Sequence, residues 1–165
     1  MDIPEEFHIY ETEHWLLNHR VNSALPGYLI LGAKADTDDI SVLPEQALMS
    51  LGPLLAATQQ TILSVLEPNR VYISRYGHDL GHSFHFHIIP IFNWVERLFW
   101  QDARYGSLAE FATPTGTQGT DGVELTFFVC REFCERLDPP EAIGPSVEES
   151  VIMLRNEMSK IPADE

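Results

Sequence analysis

The clearest alternation of hydrophobic and polar residues lies at residues 82–90, which read His-Ser-Phe-His-Phe-His-Ile-Ile-Pro. Successive side chains of a β-strand point to opposite faces of the sheet. One face of this segment is therefore apolar, with Phe84, Phe86 and Ile88. The other face carries the remaining alternate positions, Ser83, His85, His87 and Ile89. The pattern predicts a strand over residues 83–92 that packs into a core on one side and presents two imidazoles on the other.

Short apolar or alternating runs predict four earlier strands, at residues 7–11, 14–20, 28–32 and 70–76. The first two are close enough to be joined by a tight turn, and Pro26-Gly27 introduces the third. A polar loop at residues 36–41 follows the third strand. Four strands and the histidine strand together indicate a mainly antiparallel sheet.

A long helix is predicted between the third and fourth strands, starting near Pro44 with Glu45 in its first turn. Gly52-Pro53 inside this helix predicts a kink or a short break, and Glu67-Pro68-Asn69 ends it. Its apolar positions keep a helical period and form one packing stripe. The stripe consists of Ala47, Leu48, Leu51, Leu54, Leu55, Thr58, Ile62 and Leu66.

Beyond residue 93 the sequence predicts shorter elements. They are a helix at 94–100, a helical turn at 108–111, a loop at 113–122, a strand at 123–129 and one or two helical turns at 131–137. A last helix starts at Ser146, where Glu149 completes a capping-box pattern. The element order predicts an α+β fold, an antiparallel sheet with one long helix packed on it. We expect residues 1–92 to form the core and residues 93–165 a C-terminal extension of the same structural domain.

Composition narrows the function classes. The 165 residues include 25 acidic and 10 basic side chains, a net charge of −15. Nucleic acids and acidic membrane surfaces both reward basic patches, so we expect neither as a partner. Cys130 and Cys134 do not form a disulfide framework or a common zinc motif. Because the N-terminus lacks an apolar signal segment and no run is long enough to span a membrane, we expect a cytoplasmic protein.

Three interpretations of the paired histidines compete. A buried structural role would require hydrogen-bond partners for both imidazoles. A metal site could use His82, His85 and His87, although His82 is out of phase with the other two and the next acid is Glu96. The third is covalent catalysis at phosphorus, in which an imidazole attacks a phosphoryl group.

Covalent catalysis fits the local sequence best. It requires a neutral histidine in the correct tautomer, a neighbour that sets this tautomer, and donors for the phosphate oxygens. His85 has His87 beside it, and the loop from Gly77 to Ser83 offers imidazoles, a hydroxyl and backbone N–H groups. Gly81 is one of the residues that permit such backbone contacts.

The segment Ser83-Phe-His85-Phe-His87-Ile-Ile-Pro90 resembles the His-φ-His-φ-His-φ-φ signature of the histidine triad (HIT) superfamily. The resemblance extends over residues 7–92. It implies a HIT-like fold, usually a homodimer without a catalytic metal or cofactor. It also implies a small nucleotide-containing substrate that reacts at the α-phosphate. By this resemblance His85 is the nucleophile and His87 is the third histidine of the triad.

The chain departs from the family pattern at several positions. Ser83 occupies the first triad position, with His82 displaced by one residue, and either is a candidate for phosphate contact or leaving-group protonation. The chain has Gly27-Tyr28 where the family often has Gly-His, and Arg20 near the usual ribose-binding acid. Arg75 is a candidate phosphate contact or a solvated charge at the end of a strand.

The sequence therefore predicts a nucleotide phosphohydrolase or nucleotidyl transferase with a nucleotidyl intermediate on His85. The alternative is a catalytically impaired HIT-fold protein that binds nucleotides or serves as a scaffold. The predicted substrate contacts are Ser83, His82, Gly81 and Arg75.

Overall fold

The computed structural model describes residues 3–76, 82–105 and 122–161. Its centre is a five-stranded sheet in which every neighbouring pair is antiparallel. The strands are β1 (His8–Glu11), β2 (Trp15–His19), β3 (Leu29–Ala33), β4 (Arg70–Ser74) and β5 (His85–Ile91), in the order β1-β2-β3-β5-β4. The predicted α+β fold is confirmed.

The described helices lie on both faces of this sheet. They are α1 (Glu45–Leu66), α2 (Asn93–Gln101), α3 (Gly122–Val129), a π-helix (Cys130–Glu135) that continues α3, and α4 (Val147–Met158). Two 3₁₀ turns, Glu5–Phe7 and Ile40–Val42, complete these elements, and the second lies at the end of the predicted polar loop. Ser146 caps α4 in the predicted capping box with Glu149.

The first core lies on the sheet face that carries Phe84 and Ile88, between the sheet, α1 and α4. Most of the predicted α1 stripe contributes to it, because residues spaced three or four apart share one helix face. Leu48 is an exception, since 40% of its surface is exposed. Helix α1 runs unbroken through Pro53, so the predicted break does not occur. Gly52 helps, because a residue without Cβ before a proline avoids a steric clash in helical conformation.

The second core lies on the opposite sheet face, which carries the histidines. Ile89 and Ile91 of β5 are buried there against α2, α3 and the π-helix. Trp94, Phe99 and Phe128 supply much of its aromatic surface. This face of β5 is therefore apolar and covered at its C-terminal half, and polar at His85 and His87.

Residues 123–129 form a helix, so the predicted strand is wrong. Four of the residues in α3 are buried, and a short apolar run rich in Val, Thr and Phe does not distinguish a strand from a buried helix by its period. The predicted helical turns at 131–137 take the form of the π-helix at Cys130–Glu135. The predicted turn at 108–111, most of the loop at 113–122, and the loop at 77–81 lie outside the described residues.

Gly27 sets the entry of the chain into β3. Its φ of +76° is in the left-handed region that side chains disfavour, and a Cβ on Gly27 would overlap Leu66 Cδ1 at the end of α1. The following residue, Tyr28, is directed into the second core.

Within the described residues, no helix combines the length and apolarity needed to cross a membrane.

Candidate active site

The two strand histidines lie in the middle of the sheet. The register pairs His87 with Ile30 of β3 and Ser74 of β4, and it pairs His85 with Gly32. Since Gly32 has no side chain, no β3 side chain at this position covers the imidazole of His85. The imidazole centroids of His85 and His87 are 5.0 Å apart, with their planes at 64°. Both side chains are half-buried, so they share one partly open surface.

The tautomer of His85 follows from its partner. His85 Nδ1 donates to the backbone carbonyl of Ser83 at 2.8 Å. A carbonyl oxygen only accepts hydrogen bonds, so the proton of this bond lies on Nδ1. In the neutral imidazole, Nε2 then keeps its lone pair. His85 therefore has the tautomer that a nucleophile requires.

His87 has a different partner. Its Nδ1 lies 3.0 Å from the hydroxyl of Tyr28, and that hydroxyl accepts a hydrogen bond from Arg20 Nη1 at 2.7 Å. Burial, the neighbouring His85 and the charge of Arg20 together lower the pKa of His87 to about 3. Burial also raises the pKa of the Tyr28 hydroxyl, even though Arg20 opposes this shift. His87 and Tyr28 are therefore both neutral near pH 7.

The other predicted site residues are distributed unevenly. Ser83 holds His85 through its carbonyl, and exposed His82 has its ring centroid 6.4 Å from that of His85. Arg75 donates to the carbonyl of Asp38 at 2.6 Å and stacks on Phe84, whose ring belongs to the first core. The side chain of Arg75 is thus engaged on the face opposite the histidines. Gly81 lies outside the described residues.

Comparison with solved structures identifies the fold. The chain is similar to a HIT-like protein involved in cell-cycle regulation from Bartonella henselae (12% identity, TM-score 0.53), covering 94% of this chain and 88% of that one. A zinc-bound histidine triad family protein from Mycobacterium smegmatis gives 16% identity and a TM-score of 0.54, covering 96% and 87%. The fold is that of the histidine triad proteins. A diadenosine triphosphate hydrolase from Plasmodium falciparum, solved with cyclomarin A, gives 11% identity and a TM-score of 0.54, covering 96% and 80%.

The histidine triad fold is thus recognised here through structure. No protein-family model and no curated protein matches the sequence. Similarity at 11–16% identity shows the shared fold alone.

Three residues near His87 were not among the predicted site residues. Tyr28 and Arg20 form the hydrogen-bonded chain described above, and the ring centroid of Tyr76 lies 5.2 Å from that of His87. The alternation of side chains along β3 could have predicted that Tyr28 lies on the histidine face. Because Leu29 and Leu31 are buried in the first core, residues 28 and 30 must face the histidines.

The metal interpretation receives no support from ligand clustering. Throughout residues 3–76, 82–105 and 122–161, no group of three or more His, Cys, Asp or Glu side chains is arranged to hold a metal ion. Nδ1 of His85 and Nδ1 of His87 are each engaged by a protein group.

Proposed function

We propose that this protein is a nucleotide phosphohydrolase or nucleotidyl transferase that acts at an α-phosphate through a covalent intermediate on His85. One observation carries the proposal, the hydrogen bond from His85 Nδ1 to the Ser83 carbonyl. It leaves Nε2 as the unprotonated nitrogen of a half-buried imidazole. A surface histidine free to change tautomer would have no such preorganisation.

The first step forms one bond and breaks another. The lone pair of His85 Nε2 attacks the α-phosphorus, and the bond from phosphorus to the leaving group breaks. The departing group takes the electron pair of that bond and is protonated by solvent or by a nearby donor such as Ser83 or His82. The product of the step is a nucleotidyl phosphoramidate on Nε2.

The second step releases the nucleotide. Water, or another hydroxyl acceptor, attacks the same phosphorus, releases its proton to solvent and displaces Nε2, which recovers its lone pair. His87 lies beside His85 and is neutral near pH 7, so it adds no charge that would oppose the build-up of positive charge on the attacking imidazole. Its N–H is a candidate donor to a phosphate oxygen, in addition to the backbone N–H of Gly81. Such a donor contributes about 3 kcal/mol in comparable anion sites.

The similarity of the fold to a diadenosine triphosphate hydrolase supports a nucleotide substrate. Dinucleoside polyphosphates and nucleoside phosphoramidates both offer an α-phosphate with a good leaving group. We therefore include both substrate types in the proposal. Arg75 has no part in it, because its guanidinium is engaged by Asp38 and Phe84.

A homodimer is part of the same proposal. Strand β4 is the last strand in the sheet order, and an edge strand offers backbone groups with which a second copy can pair. Light scattering at several protein concentrations should give twice the mass of the chain. A mass of 18.7 kDa at all concentrations would exclude the dimer.

The decisive experiment is detection of the intermediate. The protein is mixed with diadenosine triphosphate or adenosine phosphoramidate, quenched in alkali within seconds and analysed by peptide mass spectrometry. We expect an adenylyl adduct on the peptide that contains His85, and no adduct or turnover in His85→Ala. His14→Ala is the control, since His14 lies in the turn between β1 and β2 and should leave turnover unchanged.

The alternative function is nucleotide binding without fast chemistry, favoured by the serine at position 83 in place of a histidine. The same samples distinguish it. Nucleotide binding by calorimetry in the absence of both adduct and turnover would support a binding protein. Activity that is lost on treatment with a chelator would instead support a metal-dependent enzyme.

A further inference from the structure

Arg20, Tyr28 and His87 form a continuous hydrogen-bonded chain across three neighbouring segments of the sheet. Arg20 follows β2, Tyr28 precedes β3, and the backbone N–H of Arg20 donates to the carbonyl of Tyr28 at 2.8 Å. The Arg20 guanidinium lies over the Tyr28 ring, 5.1 Å from its centroid, and donates to the Tyr28 hydroxyl at 2.7 Å. Arg20 Nε donates to the side chain of Asn22 at 2.8 Å. The guanidinium is therefore fixed by three separate contacts.

A count of protons decides the direction of the last hydrogen bond. A guanidinium has no acceptor, so Arg20 must donate to the Tyr28 oxygen. The neutral Tyr28 hydroxyl has one proton of its own, and its other hydrogen-bond partner among the described residues is His87 Nδ1 at 3.0 Å. If that proton is donated to Nδ1, the proton of neutral His87 lies on Nε2. In the reverse arrangement His87 Nδ1–H would donate to Tyr28, and the hydroxyl proton would lose its partner.

We propose that Arg20 and Tyr28 are positioning residues that hold His87 as a neutral Nε2–H tautomer, so that His87 acts as a hydrogen-bond donor beside the nucleophile. The proposal rests on the function proposed above for its effect on catalysis. The tautomer itself does not depend on that function. His85 and His87 then have opposite tautomers, one with Nε2 as acceptor and one with Nε2 as donor.

The charges around His87 act in the same direction. Among the described residues no carboxylate forms an ion pair with Arg20, although its charge contributes to lowering the pKa of Glu135 and of Cys130. Within residues 3–76, 82–105 and 122–161, the titratable groups in ring contact with His87 are His85 on its own strand, Tyr28 on the β3 side and Tyr76 after β4. None of these is an acid that would stabilise an imidazolium. Cys130 and Cys134 of the π-helix contribute electrostatically to raising the pKa of Arg20 and of the Tyr28 hydroxyl.

The tautomer can be measured directly. Long-range ¹H–¹⁵N spectra of histidine-labelled protein at pH 7 distinguish a protonated from an unprotonated ring nitrogen, and His87→Gln assigns the signals. We expect Nε2 of His87 to be protonated in the wild type. Tyr28→Phe should give a mixture of tautomers. Arg20→Lys keeps a donor for Tyr28 and should retain the wild-type spectrum. Arg20→Leu removes this donor and should lower the fraction of His87 that is protonated on Nε2.

A matched control is available on the same sheet. Tyr72 also accepts from an arginine, Arg70, but the sheet register pairs it with Ile89, one row away from His87. Tyr72→Phe should leave the His87 spectrum unchanged. Thermal melts of each variant establish that it is folded before its spectrum is compared.

Activity gives a second readout. With diadenosine triphosphate as the probe, Tyr28→Phe and Arg20→Leu should lower kcat by about 10- to 100-fold, the range found when the hydrogen-bond partner that orients a metal-binding histidine is removed, with a smaller change in KM. A wild-type His87 protonated on Nδ1, or an unchanged His87 spectrum in Tyr28→Phe, would overturn the proposal. If the wild type has the expected tautomer but no turnover, the proposed function fails while the positioning role stands.

Discussion

The imidazoles of His85 and His87 lie 5.0 Å apart on one strand, yet they bind partners of opposite character. His85 donates from Nδ1 to a carbonyl, whereas His87 Nδ1 meets a hydroxyl that is itself held by an arginine. Two adjacent imidazoles would repel each other if both were protonated. The structure avoids this repulsion by keeping His87 neutral. The same arrangement lowers the stability of the fold at acid pH.

We expect the fold to lose stability below about pH 6.5 because of His87. Its pKa falls from the ordinary 6.5 to about 3 on folding, mainly through burial. Between these values the unfolded chain binds a proton that the folded chain does not, so the free energy of unfolding decreases as the pH falls. The slope for one such group is at most about 1.4 kcal/mol per pH unit. Urea unfolding at pH 7, 6 and 5 measures it.

The variant His87→Gln should show a shallower dependence on pH than the wild type over this range. Some dependence should remain, since burial also lowers the pKa of His19. Equal slopes for His87→Gln and the wild type would show that His87 does not titrate between the two states as inferred.

Gly27→Ala should destabilise the protein by about 1 kcal/mol or more. The positive φ of residue 27 strains any residue with a side chain, and its Cβ would overlap Leu66. Gly32→Ala in β3 is the matched control, because a Cβ there would lie 4.0 Å from the His85 Cβ, an ordinary contact. Free energies of unfolding in urea compare the two. Equal stability of the two variants would mean that Leu66 and the chain at residue 27 adjust without cost.

The histidine strand was predicted correctly because its two faces have different environments. Phe84 and Ile88 are buried in the first core, while His85 and His87 remain half-buried on the other face, so a period of two is visible in the sequence. The strand at 123–129 was predicted wrongly for the converse reason. Helix α3 buries Leu125, Thr126, Phe128 and Val129 together, which leaves little of the amphipathic pattern that identifies a helix.

The partners of His87 could not be predicted from local sequence. Tyr28 is 59 residues away in the chain, and only the β3–β5 register brings the two together. The division into a core at 1–92 and an extension at 93–165 remains a prediction. Residues of both parts are mixed in both cores, for example Tyr28 with Phe133, and Leu17 with Leu154.

Cys130 should react with iodoacetamide faster than Cys134 at pH 7. A hydrogen bond from the Cys134 thiol lowers the pKa of Cys130, and Arg20 adds to this effect against the opposing effect of burial. The same pairing, together with burial, raises the pKa of Cys134. Peptide mass spectrometry after short labelling measures both rates. Cys134→Ala should slow the labelling of Cys130, whereas Cys134→Ser should preserve it, and equal labelling of both cysteines in the wild type would contradict the assignment.

Glu132 should contribute strongly to the stability of the fold. Its buried carboxylate accepts hydrogen bonds from Arg104 at 2.8 Å, from the Tyr105 hydroxyl at 2.9 Å and from Arg136 at 2.8 Å. Burial raises the pKa of Glu132, but these three bonds outweigh it and the net pKa lies below 4.5. Their contribution is therefore complete above pH 4.5 and is lost as the pH falls further.

Glu132→Ala should lower the free energy of unfolding by about 3 kcal/mol at pH 7, because it leaves the Tyr105 hydroxyl and two arginines without their shared acceptor. Glu135→Ala, three residues along the same π-helix, is the control. Its exposed ion pair with Arg131 should contribute less than about 1 kcal/mol. Urea unfolding at pH 7 measures both variants. If Glu132→Ala were as stable as Glu135→Ala, the hydrogen bonds of Glu132 would only offset the cost of burying its charge.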